Sequence, residues 1–163
     1  MNSAPSAVLP PSPEAPAARG TVVVTGMASD SHTWNLVFLQ LLVEELGYDV
    51  VNLGPCVPDE LLVDECRALS PHMVVISSVN GHGYQDGMRV IGRLRSCAEL
   101  ADTPVVIGGM LGISDENATY VDELMAAGFH AVFEGSSTAG FQDFVHSLPA
   151  KAGATAEMAA VAS

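Results

Sequence analysis

The chain has 163 residues, 48% of them hydrophobic and 15% charged, which is enough apolar material for one buried core and too much for wholesale disorder. Six basic residues face 19 acidic ones, a formal charge of −13 that excludes a phosphate-neutralising nucleic-acid surface and docking on an anionic membrane. Three cysteines (Cys56, Cys66, Cys97) without a C-x-x-C argue against a disulfide framework or a thiolate zinc site and fit a reducing cytoplasm. No apolar run approaches the ~20 residues of a spanning helix, and the N-terminus lacks the features of a secretory signal. A cytoplasmic location is expected.

Residues 1–20 hold five Pro and five Ala with almost nothing large and apolar, and are expected to be a disordered tail. Residues 149–163, with seven Ala and no amphipathic face, are expected to form a second tail. The folded unit is placed at 21–148. Within it Thr21–Thr25 predicts a first strand, and Leu36, Leu39, Leu42, Val43 and Leu46 predict a helix that Gly47 terminates. Val50–Leu53 predicts the second strand, and Pro58-Asp59-Glu60 a helix start with Pro near its first position. Met73–Ser77 follows as strand three, then a helix marked by Met88, Ile91, Leu94 and Ala98. Val105–Ile107 is strand four, Val121, Leu124 and Met125 mark the next helix, Ala131–Phe133 is strand five, and Phe141, Phe144 and Val145 belong to a last helix. The strands are runs of Val and Ile without strict alternation, as strands buried on both faces are.

Five strand–helix repeats specify an open parallel α/β sheet with right-handed crossovers, and at this length the flavodoxin-like (Rossmann-like) order 2-1-3-4-5 with helices on both faces. Ligands bind such sheets beyond the carboxyl ends of the strands, where the order reverses. The loop after strand one, Gly26 to Asn35, carries Asp30-x-His32. A carboxylate that accepts one ring N–H leaves the other imidazole nitrogen free for a metal. On spacing alone, a helix cap by Ser29 or Asp30 with an ordinary loop histidine accounts for the same residues, and more simply. The loop after strand three, Ser77-Ser78-Val79-Asn80-Gly81-His82-Gly83, offers hydroxyls and close backbone approach, or merely a capped turn. Gly108-Gly109 and Glu134-Gly135-Ser136-Ser137-Thr138 end the last two strands in small residues at the same edge. His72, His130 and His146 show no ligand spacing, the cysteines have no neighbouring base, and no phosphate loop or nucleophile elbow occurs.

Asp30-x-His32, Ser77-x-Val79 and Gly108-Gly109, in those three loops and that order, resemble the D-x-H-x-x-G, S-x-L and G-G signature of cobalamin-binding domains, and among these the small cobalamin-binding subunits of glutamate mutase (methylaspartate mutase). The resemblance spans the folded unit. It implies that the cofactor binds with its own base displaced and with His32 as the lower axial cobalt ligand. Asp30 would hold the other ring proton, and Ser29, Ser31 and Thr33 would line the same loop. Ser77 would meet the base of the nucleotide tail, with Ser78 beside it. Val79, Gly108 and Gly109 would leave room for the tail, which Met110, Leu111, Gly112, Ile113 and Ser114 would cover. Asn35 stands where the motif has its final Gly, which adds a side chain at the entry to the tail channel.

The function implied by that resemblance is to supply adenosylcobalamin to a separate large TIM-barrel mutase subunit that turns glutamate into 3-methylaspartate. The chain itself has few cations, Arg67, Arg89, Arg93 and Arg95 foremost, to clamp a dicarboxylate. A cobalamin-binding methyl carrier or a cobalamin sensor is the alternative. The carrier is disfavoured because residues 1–20 cannot build the helical cap such relatives carry. A flavodoxin is disfavoured by the acid in the first loop, and a receiver domain by the lack of an Asp at the end of strand three.

Overall fold

The computed structural model describes residues 17–112, 117–135 and 137–149. The five expected strands and five expected helices are all present. Strands β1 (Thr21–Thr25), β2 (Asp49–Gly54), β3 (Met73–Ser78), β4 (Val105–Gly109) and β5 (Ala131–Glu134) alternate with helices α1 (Trp34–Glu45), α2 (Asp59–Leu69), α3 (Gly83–Arg95), α4 (Asn117–Ala127) and α5 (Ala139–Ser147). Every strand pair is parallel and the order is β2-β1-β3-β4-β5. The order reverses between β1 and β3, as expected.

All six residues of the central strand β3 are buried, which is why it reads as an unbroken apolar run ending in two hydroxyls. Successive side chains point to opposite faces and build two separate cores. Val22, Val24, Met73, Val75 and Val106 pack under α1 and α5 with Leu36, Val43, Phe141 and Val145. Val23, Val74, Ile76, Val105 and Ile107 pack under α2, α3 and α4 with Leu62, Cys66, Ile91, Leu94 and Leu124. Gly87 on α3 allows close approach there, since a Cβ would lie 2.9 Å from Ile107 Cδ1. Gly47 ends α1 at φ +93°, a conformation that glycine adopts without steric penalty. Pro58 caps α2 from outside in extended geometry and does not occupy its first turn.

The expected tails lie outside the described residues, apart from 17–20 and Pro149. Within 17–20, Arg19 is packed on the domain. Its N–H donates to the Gly47 carbonyl at 2.9 Å and its guanidinium lies 5.1 Å from the centre of the Tyr48 ring. No helix among the described residues is long and apolar enough to cross a membrane.

Candidate functional site

The loop between β1 and α1 is held from several sides. The Asp30 N–H donates to the Met27 carbonyl, and the Asp30 carbonyl accepts from the Cys56 N–H at 2.9 Å, which ties the loop to the end of β2. The Asp30 side chain is only 2% exposed. Its Oδ1 accepts the His32 Nδ1–H at 2.7 Å and the His32 backbone N–H at 3.1 Å. Its Oδ2 accepts the Val79 N–H at 2.6 Å and the Asn80 N–H at 3.3 Å. Burial alone would push this carboxyl up, but the Val79 and His32 amides, the His32 ring and the Asn80 amide outweigh burial and hold it below its ordinary value. A carboxylate so placed fixes the imidazole with its proton on Nδ1. The His32 side chain is 53% exposed, and its Nε2 has no hydrogen-bond partner among the described residues.

One carboxylate thus joins the first and second motifs, and Val79 takes part through its backbone N–H. Asn80 adds a second tie that its spacing did not reveal. Its amide donates to the Ser29 carbonyl at 2.9 Å and to Ser29 Oγ at 3.0 Å. Ser29 Oγ in turn donates to Asp86, which pairs with Arg89 at 2.8 Å. Ser31 and Thr33 flank the histidine with exposed side chains, and Thr33 occupies the N-cap of α1 without a side-chain capping bond.

Beside this loop a groove of about 290 Å³ opens between α1 and α5 on the sheet. Ser77, Gly108 and Phe133 lie in register across β3, β4 and β5 and form a row on its floor. A side chain at Gly108 would stand in that row, with its first carbon 3.1 Å from the Phe133 carbonyl oxygen. Its absence leaves the notch open. Phe38 and Leu39 of α1 and Phe141 of α5 wall the groove, with Val75 and Val106 beneath. Asn35 closes one end, its Nδ2 donating to Ser77 Oγ at 2.6 Å. Thr138 and Ser137 stand at the other side.

Ser78, Val79 and Gly109 line the groove as well. The Ser78 side chain is one residue out of phase with Ser77, so period-2 alternation turns its hydroxyl to the other layer. There Ser78 Oγ donates to the Met110 carbonyl at 3.0 Å. A Cβ on Gly109 would fall 2.0 Å from the Ser78 carbonyl oxygen at φ +104°, so this glycine serves the turn itself. Leu111, expected to cover a ligand tail, is buried in the opposite core with Leu124 and Ile107. Met110 is exposed and Gly112 half-buried, and Ile113 and Ser114 lie outside the described residues. Motif spacing does not point to the aromatic walls, although Phe38 falls outside the buried stripe of α1 and is a signal for one of them.

The arginines of α2 and α3 are engaged within the domain. Arg89 pairs with Asp59 and Asp86, Arg93 with Glu60 and Asp59, and Arg67 with Glu99. Arg95 donates to the carbonyls of Leu100, Thr103 and Gly128. Burial pushes the Cys66 thiol up to about 12, which removes it as a nucleophile. Among the described residues no three His, Cys, Asp or Glu side chains gather to hold a metal ion.

A doubly wound parallel sheet, with a fixed imidazole at its switch point and an apolar groove alongside, defines a ligand-carrying domain of flavodoxin-like fold. The chain belongs to the B12-binding domain family, whose profile, described as "B12 binding domain", matches residues 20–144. Among curated proteins it is similar to the glutamate mutase sigma subunit of Fusobacterium nucleatum, 31% identical over 61% of this chain and 72% of that one. The glutamate mutase sigma subunit 2 of Haloarcula marismortui is 26% identical over 72% of this chain and 78% of that one. Among solved structures a cobalamin-binding protein from Desulfitobacterium hafniense superposes with a TM-score of 0.65 at 20% identity, over 80% of this chain. This chain spans 59% of that protein, and the likeness concerns the fold.

The residues present suit a cobalamin. The imidazole carries its proton on the buried side, the groove is apolar enough for an aromatic base, and the notch at Gly108 is free of side chain.

Proposed function

We propose that this chain is the cobalamin-carrying subunit of an adenosylcobalamin-dependent carbon-skeleton mutase, glutamate mutase in type, which presents the cofactor to a separate large barrel subunit. The observation that carries the reading is the His32 ring, locked through Nδ1 by Asp30 and left free at Nε2, three residues before Asn35 in the groove wall. His32 Nε2 would hold the cobalt. Asp30 would hold the Nδ1 proton and stop the ring from rotating. The nucleotide tail would lie in the groove over Ser77, Gly108 and Phe133. When bound, the cofactor supplies a weak cobalt–carbon bond whose homolysis starts radical chemistry.

The substrate is assigned to the other subunit because the arginines of this domain are already engaged. A dicarboxylate needs cationic or bidentate partners, and Arg67, Arg89, Arg93 and Arg95 bond to acids or carbonyls of their own chain. The sigma-subunit names of the curated relatives support the same division of labour.

The test is a titration of the full chain with adenosylcobalamin, followed by electron paramagnetic resonance of the bound Co(II) form with ¹⁵N-histidine in the protein. A change of the superhyperfine pattern from triplets to doublets, lost in His32→Ala, is expected. A pattern indifferent to the label overturns the axial-ligand assignment. Glutamate isomerisation by the chain alone overturns the assignment of the substrate to a second subunit.

A further inference from the structure

The groove walls are apolar except at two places, and one of them carries an unmet hydrogen-bonding group. Asn35 reaches from the first turn of α1 across to β3, where its Nδ2 donates to Ser77 Oγ at 2.6 Å. Its Oδ1 is buried and has no partner among the described residues. A buried amide oxygen left bare is unfavourable, and it stays so if the incoming ligand offers only hydrocarbon. The side chain also stands where the resembled motif has Gly, so any base entering between α1 and the sheet must part the Asn35–Ser77 pair and satisfy both ends again.

We propose that Asn35 selects the corrinoid by its nucleotide base, favouring a base that bears an N–H donor beside a ring-nitrogen acceptor, as an aminopurine does, over dimethylbenzimidazole. This rests on the cobalamin reading above. A turn about χ2 brings the carboxamide edge into the groove. There its N–H donates to a ring nitrogen and its Oδ1 accepts from the exocyclic amine, the same bidentate match by which Asn reads adenine. Ser77, released from Asn35, keeps its hydroxyl for a further ring nitrogen or the adjoining ribose. Dimethylbenzimidazole can offer a ring nitrogen but no donor, and its methyl groups would leave Oδ1 unmet. Sites that hydrogen-bond a ligand discriminate strongly against the analogue lacking the group, because their own polar atom is then stranded.

The experiment compares dissociation constants of the full chain for adeninylcobamide and dimethylbenzimidazolylcobamide. Binding is read from the cobamide absorbance and from quenching of the single tryptophan, Trp34. The wild-type chain should prefer adeninylcobamide on the order of tenfold. Asn35→Gly should bring the two constants within about twofold by removing the carboxamide, and Asn35→Ala provides the same test if the glycine variant does not fold. Equal constants in the wild-type chain, or a preference that survives both substitutions, overturn base selection and leave cobalamin binding standing. Binding of neither cobamide removes the cobalamin reading itself, and base selection with it.

Discussion

The two faces of the sheet are built from the same Val- and Ile-rich strands but end differently at their carboxyl edge. On the face of α2, α3 and α4 the core runs to the rim. Met27 and Leu111 fill its end, and Gly87 draws α3 down onto Ile107. On the face of α1 and α5 the helices part before the rim, so that Phe38 is left 54% exposed and Gly108 lines the floor of the groove. One face is finished by the chain's own side chains, while the other lacks a filling. A binding groove in this fold is therefore a local omission in packing, made by one glycine and by aromatic walls set apart.

The sharpest way to break the contrast is Gly109→Val. The β-carbon has no space against the Ser78 carbonyl, and φ is +104°, so a loss of roughly 4 kcal/mol or more is expected, with little folded protein by circular dichroism. Ile91→Ala hollows out the closed face and should cost about 2–5 kcal/mol in urea unfolding without altering cobalamin affinity of the folded chain. Asp30→Asn tests the loop that borders both faces. The Asp30 carboxyl is held below its ordinary 3.8, so its stabilising effect is complete above the unfolded value and is lost as pH falls through the folded one. The stability gap between wild type and this variant should be about 1–3 kcal/mol at pH 7 and should narrow on acidification below pH 4. A gap that stays constant with pH would mean that the charge does not contribute. Phe38→Ala, on the open face, should change stability by less than about 1 kcal/mol, because the ring is already half in water. Its effect belongs in ligand affinity, as a severalfold rise in the dissociation constant for cobalamin.

Much of this was legible in the residues. Apolar runs broken by caps and glycines gave the strands within a residue or two, and strand count with length gave the order. The three motif loops do meet at one edge. What spacing could not supply was contact between elements distant in sequence. Nothing in Ser77-x-Val79 announces that the Val79 N–H will hold Asp30, 49 residues earlier, or that Asn35 will reach Ser77. A loop following a Gly-Gly turn has no period to read, and for Leu111 burial in the opposite core decides its direction. The split between Ser77 and Ser78 was available from strand alternation alone, since neighbours on a strand cannot share a face.

The double grip on Asp30 makes the two ends of the site report to each other. One carboxylate oxygen holds the imidazole of His32, and the other holds the backbone just past Ser77 on the groove floor. A molecule seated on Ser77 would bear on the strand end that carries the Val79 N–H, and through it on the carboxylate that holds the Nδ1 proton. The ring and the groove floor are thereby tied through one side chain. Linkage of this kind is reciprocal. Were a ligand held at the histidine and in the groove at once, each hold would strengthen the other by the same amount.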